Sequence, residues 1–208
     1  LVSIFIIIIS LLISACGRQK QPEIEITELT PLKARKTADS IRDEVTPKVA
    51  RGFNLHLWAS EKLLEDPVGL DIDHQGRAFV TVTNRSTASE FDIRGHRDWM
   101  IPSISWTTVQ DRIDFLHREL APDSSSRNTW LPDFNGDSLH DWHDLTVQKE
   151  EVYRLEDRSG DGIADFGQLF VRDFHSEETD VAGAILAHGE DVFLGVAPDM
   201  WRLRDQNN

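Results

Sequence analysis

Cysteine is nearly absent. Cys16 stands alone among 208 residues, which excludes an intramolecular disulfide, a cysteine-rich zinc site and a C-x-x-C-H haem attachment within this stretch. Positive charge is scarce, with 22 Lys and Arg against 36 Asp and Glu, so no nucleic-acid partner is expected, because phosphate binding needs clustered cations. No Gly-x-Ser-x-Gly elbow and no Gly-rich phosphate loop precedes a helix, which leaves nucleophilic hydrolysis and nucleotide binding without their usual residues. Charge is missing altogether from residues 1–15, and the rest of the chain contains no comparable apolar run.

That apolar start is too short for a comfortable membrane span and matches the centre of a secretory signal. It ends Ile13-Ser14-Ala15-Cys16, which resembles the bacterial lipobox, so Cys16 is the expected lipidation site and the cell envelope the expected location, facing periplasm or exterior. The alternative is an apolar element carrying a free thiol. Neither an initiator Met nor a basic segment precedes the run, so more chain is expected upstream.

Residues 16–51 are polar, with prolines at 31 and 47, and read as a tether with a short helix over Ala38 to Val45. From Gly52 the pattern changes to period two. Phe53, Leu55 and Leu57 predict a first strand, Val68 to Asp73 and Ala78 to Thr83 two more, with His74-Gln75-Gly76 as a hairpin turn. Residues 84–150 behave as an insertion: Thr108 followed by Asp111 is a capping box, and Val109, Ile113, Leu116 and Leu120 predict a helix over Val109 to Glu119.

An internal repeat supplies the architecture. Val152-Tyr153-Arg154-Leu155-Glu156-Asp157 aligns with Met200-Trp201-Arg202-Leu203-Arg204-Asp205, at a period close to one propeller blade. Strands at Gln168 to Arg172, Ala184 to Ala187 and Val192 to Val196 lie between the copies and are expected to join the repeated strand in one four-stranded unit. The fold expected over residues 52–208 is therefore all-β: an incomplete β-propeller of four-stranded antiparallel blades with a helical insertion, preceded by signal and tether. The second copy breaks off at Asn208, so further blades are expected beyond it.

Two acidic loops carry candidate chemistry. Asp133, Asn135, Asp137, Asp141 and Asp144 place oxygens at the first, third, fifth, ninth and twelfth positions of a calcium loop, and Asp157, Ser159, Asp161 and Asp165 repeat the start of that spacing. Hard cations need many oxygens, and alternate residues of a wound backbone deliver them. Asx-turn structure without an ion is the competing account. Among the histidines, His96 and His175 are the candidate catalytic residues, each in a charged loop, with a structural role as the alternative. The tryptophans Trp99, Trp106, Trp130 and Trp142 suit sugar contact or packing between blades.

Gly52-Phe53 through Glu61, Asp66-Pro67-Val68, Asp73 through Arg77, Tyr153 through Asp157 with its Gly-Asp-Gly loop, and Pro198 through Leu203 look like the propeller part of the membrane-bound dehydrogenase-type proteins. That group is similar to the glucose and sorbosone dehydrogenases that use pyrroloquinoline quinone (PQQ). The resemblance implies a sugar or polyol substrate, an electron acceptor, bound PQQ and a c-type haem domain past Asn208. Thr179-Asp180-Val181-Ala182-Gly183 occupies what looks like the position of the family's catalytic His, without a His. The alternative function is a non-catalytic, calcium-stabilised propeller that binds a glycan or a protein.

Overall fold

The computed structural model describes residues 24–86 and 88–204. The expected signal and Cys16 lie outside them, as does Asp205 at the end of the second repeat copy. In chain order the elements are β1 (Ile26–Glu28), α1 (Pro31–Glu44), β2 (Pro67–Ile72), β3 (Ala78–Val82), α2 (Met100–Ile104), α3 (Val109–Glu119), β4 (Glu150–Glu156), β5 (Phe166–Asp173), β6 (Ala182–His188), β7 (Asp191–Val196) and β8 (Asp199–Arg204). Among the described residues no helix is long and apolar enough to cross a membrane.

The strands form two antiparallel sheets, one of order β1-β5-β4-β3-β2 and one of order β6-β7-β8. The hairpin between β2 and β3 forms where expected. Asp73 Oδ1 accepts from the amides of Gln75 and Arg77 at 2.9 Å each, and Gly76 takes the left-handed φ of +80° that the turn requires. Burial of Asp73 pushes its carboxyl up, but the Arg77 amide and guanidinium prevail and hold it below its ordinary value.

All five residues of β3 are buried because both faces of its sheet are covered. Ala78 and Val80 pack with Leu29, Ala34, Leu63, Leu155 and Ala164 on one side. Phe79, on the other side, joins Val152, Ala182, Val192, Leu194 and Val196 in the core between the two sheets. At Gly69, where β2 faces β6, a Cβ would lie 3.3 Å from Thr81 Oγ1 of β3, tight enough that Thr81 must shift, and 3.5 Å from the Gly183 carbonyl oxygen of β6, an ordinary contact.

Three sequence expectations change. The helix at Ala38 begins earlier, at Pro31, because Thr30 caps it through the Lys33 amide and Pro31 supplies a preset first turn; Ala34 and Ala38 then pack inward. Residues 26–44, expected within the tether, thus add a strand beside β5 and a helix on the core. Phe53, Leu55 and Leu57 form no strand: Phe53 and Leu55 are exposed, and β1 already occupies the edge of β5. Finally, the four strands grouped together are β2 to β5, and the break between sheets falls after β5, so the repeated motif sits on β4 and β8, each the third strand of its run.

The insertion folds around its own centre, with Trp99, Phe115, Leu116, Leu120, Leu131 and Leu145 buried together. Helix α3 has the expected bounds and capping box, Thr108 accepting from the Asp111 amide while Asp111 accepts from the Thr108 amide. A fully buried pair fastens this unit to both sheets. Glu150, at the start of β4, accepts from Thr83 Oγ1 at 2.8 Å, the Arg85 amide at 3.2 Å and the Ala182 amide of β6 at 2.7 Å. Arg85 donates to the carbonyls of Phe174 (3.3 Å), Ser89 (3.0 Å), Leu145 (3.3 Å) and Ser176 (3.1 Å), and to Thr179 Oγ1.

Replacing Arg85 by Met keeps the bulk of the side chain and the amide that Glu150 accepts, but strands those carbonyls and removes the buried positive charge that compensates Glu150. We expect a loss of about 3–5 kcal/mol in urea unfolding, the scale for leaving a buried charge uncompensated, while Arg94→Met on the exposed surface of the insertion stays near wild type. Equal midpoints for the two variants would contradict the role given to Arg85.

Candidate functional site

The two acidic loops share one backbone design. Asp133 Oδ1 accepts from the amides of Gly136 (2.7 Å) and Asp137 (3.2 Å), and its Oδ2 from that of Ser138 (2.9 Å). Asp157 does the same for Gly160 (2.8 Å), Asp161 (3.2 Å) and Gly162 (2.7 Å). A left-handed φ recurs at matching places, Gly136 (+76°) and Ser138 (+71°) in one loop, Gly160 (+72°) and Gly162 (+89°) in the other. A buried aspartate closes each loop from behind: Asp144 Oδ1 accepts from the amides of Phe134 and Asn135, and the Asp165 carboxylate from those of Arg158 and Ser159.

The fifth and third positions add Asx turns. Asn135 accepts from the Asp137 amide, Asp137 from Leu139 and Asp161 from Ile163, while Ser159 Oγ donates to Asp157. Burial pushes the Asp157 carboxyl up, yet the amides of Gly162, Gly160 and Asp161 outweigh it and hold the group below its ordinary value.

Their charge is balanced differently. In the second loop, Arg35 of α1 donates to Asp161 Oδ2 at 2.9 Å. In the first, Asp141 is almost wholly buried; its Oδ1 accepts from the His143 amide at 2.9 Å and lies 2.8 Å from His143 Nδ1, but its Oδ2 has no hydrogen-bond partner. Among the described residues no group of three or more His, Cys, Asp or Glu side chains is placed to hold a metal ion. The backbone amides, not converging carboxylates, shape both loops.

The two candidate histidines lie in different parts of the structure. His175, on the connection from β5 to β6, places Nδ1 2.8 Å from Asp173 Oδ1. His96 belongs to an aromatic group in the insertion, with ring centroids 4.1 Å from Trp99 and 4.3 Å from Trp130. Of the four tryptophans named from sequence, Trp99 is core, Trp106 and Trp142 are half-buried, and Trp130 is exposed. His117 and His143 lie against Trp142 at 4.1 and 3.6 Å, with Glu177 Oε1 3.0 Å from His117 Nε2.

His96 and Trp130 line a cleft of about 370 Å³ with Ala88, Glu90, Asp92 and Gly95. Its walls are held from below. The Asn128 side-chain amide donates to the Glu119 carbonyl at the end of α3 at 3.0 Å, and the Leu131 amide to the Asn128 carbonyl at 2.9 Å, which fixes the turn bearing Trp130. On the other wall Asp92 Oδ1 accepts from the Arg94 amide at 2.8 Å, and the His96 amide donates to the Ile93 carbonyl at 3.0 Å. The Arg94 guanidinium, 2.7 Å from Asp92 and 4.0 Å from Glu90, holds the Asp92 carboxyl below its ordinary value and so ionised. Sequence reading missed Glu90, Asp92 and Arg94; their alternation around Phe91 and Ile93 was the available signal.

Among the further cavities of the described residues, two adjoin the sheets. One of about 450 Å³ lies between the sheets beside Asp73, Arg77, Phe79, Phe170 and Asp191, where Arg77 and Asp191 are engaged by Asp73 and Arg204. The other, about 700 Å³, is an apolar groove on the open side of β2, formed by Trp58, Leu64, Leu70, Ile72 and Leu155.

Comparison with known proteins adds one finding. Residues 44–208 match the family model described as Domain of unknown function (DUF7133), and the chain belongs to that family. No curated protein and no solved structure matches.

Proposed function

We propose that this chain, as a member of that family, forms successive blades of an extracytoplasmic β-propeller, is held at a bacterial membrane by a lipid on Cys16, and recognises a carbohydrate. The propeller reading draws on strands β2 to β5 running as consecutive antiparallel neighbours, on β6 to β8 repeating the first three, and on β6 packing against β2. Carbohydrate recognition rests on one observation: the insertion presents an exposed Trp130 beside Glu90 and Asp92 in a cleft. An indole face suits the C–H face of a sugar ring, and carboxylates suit its hydroxyls.

A second reading is oxidation of a sugar or polyol, with PQQ supplying the electron acceptor and a haem domain further along the polypeptide the outlet. His175 favours it, because the Asp173 carboxylate at 2.8 Å would orient the imidazole and leave Nε2 to take a hydroxyl proton. Calcium belongs to the proposal at the first acidic loop, supported by the unpartnered, buried Oδ2 of Asp141. In the second loop Arg35 already brings positive charge to Asp161.

On a glycan array the full-length protein should be retained by a defined subset of saccharides, and uniform absence of binding would overturn the first reading. Turnover of a retained sugar with an artificial acceptor after quinone reconstitution would move the assignment to the second. Calorimetric titration of chelator-treated protein with calcium should show binding that Asp141→Asn weakens; no heat up to millimolar calcium removes the ion from the scheme. Detergent phase partitioning should place the protein in the detergent phase and Cys16→Ala in the aqueous phase, whereas identical partitioning would refute the lipid.

A further inference from the structure

We infer that the cleft between Trp130 and the 88–96 segment is a subsite for a neutral hexopyranose, with the sugar's apolar face on the Trp130 indole and vicinal hydroxyls on Glu90, Asp92 and Arg94. The inference rests on the carbohydrate reading above and assigns it a place and a ligand geometry.

Size comes first: about 370 Å³ falls at the small end of the roughly 300–1,000 Å³ typical of small-molecule clefts. Rigidity comes second. Trp130 keeps 43% of its surface exposed although Leu131 beside it is fully buried, and His96 backs it at 4.3 Å with Trp99 behind at 4.1 Å from His96. The ring is thus presented by a fixed aromatic stack, and little side-chain freedom is lost when a ligand covers it.

The polar side selects among ligands. Glu90 and Asp92 line the cleft with acceptor oxygens, and Arg94, which pairs with Asp92 and keeps its side chain 71% exposed, brings its remaining N–H donors beside them. Acceptors and donors side by side match hydroxyls, which do both. A quaternary ammonium would also favour an indole flanked by carboxylates. Here it would compete with the Arg94 guanidinium, which already lies 2.7 Å from Asp92. An anionic sugar would meet two carboxylates. A neutral sugar meets neither obstacle.

Titrating the full-length protein with neutral hexoses and their disaccharides, and following tryptophan fluorescence and ligand-observed NMR, should give saturable millimolar binding. Trp130→Ala should weaken it about tenfold or more, the scale expected for loss of ring stacking, while Trp130→Phe keeps most of it and Trp201→Ala, on β8 outside the cleft, keeps all of it. Glu90→Gln, compared at a temperature where circular dichroism shows it folded, should weaken binding. Array binding that survives Trp130→Ala would overturn the subsite and leave carbohydrate recognition standing. Absence of binding both on the array and in titration would remove the two together. Tighter binding of tetramethylammonium than of any hexose would replace the sugar with a cation.

Discussion

The fold turns on two buried residues of opposite charge, joined through the Arg85 backbone amide. Arg85 and Glu150 stand where the insertion leaves β3 and re-enters β4, and both are fully buried. Glu150 takes amides from the start of the insertion and from β6, while Arg85 takes carbonyls from the insertion's exit at Leu145 and from the connection between the sheets. Three stretches distant in sequence therefore meet at a single point. Burial pushes the guanidinium toward losing its proton and the Glu150 charge opposes this. Such a pair gives little net stability compared with an apolar replacement, but it tolerates few alternative arrangements, and here it sets how the insertion stands on the sheets.

The aspartate loops solve a different problem. After β4 the chain must reverse tightly to start β5, and Asp157 and Asp165 between them take amides from residues 158 to 162, so the turn is satisfied without water. The first loop uses the same scheme inside the insertion, with Asp144 in the part of Asp165. Its equivalent closing residue comes three positions later than in the second copy, because the 3-10 turn at Trp142–Thr146 brings Asp144 back over the loop. Side-chain oxygens spaced for a cation are here chiefly acceptors for the backbone, which is why the spacing alone speaks for both accounts.

Much of the sheet was legible because its signals are local. The Asp73 turn, the capping box at Thr108 and the alternation in β6 and β7 each depend on a few adjacent residues. The errors arose where a partner far away decides the outcome. Phe53 to Leu57 alternates well but finds no free strand edge, whereas Ile26–Glu28, three residues of little distinction, pairs with β5. The grouping of strands into sheets failed for the same reason: nothing in residues 174–181 announces that the chain crosses to a new sheet, since the determinant is Thr179 and the Ser176 carbonyl meeting Arg85. At the site, individual residues such as His96 and Trp130 could be named, but their contact across the insertion, and the placing of Glu90 and Asp92 in the same cleft, required the fold.

The placement of exposed chemistry follows from these constraints. Acidic residues are abundant, but in the two loops their oxygens are occupied by backbone amides, and at Asp161 by Arg35. A carboxylate spent on its own turn has little left for a ligand. At the cleft Asp92 likewise takes one amide bond to shape its turn and pairs with the Arg94 guanidinium through both carboxylate oxygens, but that ion pair stands at the surface rather than inside a loop. The insertion's core supports this by burying Trp99 and Leu131 directly beneath, so the backbone carrying Trp130 need not bury that ring as well. In the proposed reading the insertion, standing on Arg85 and Glu150, carries the ligand contact.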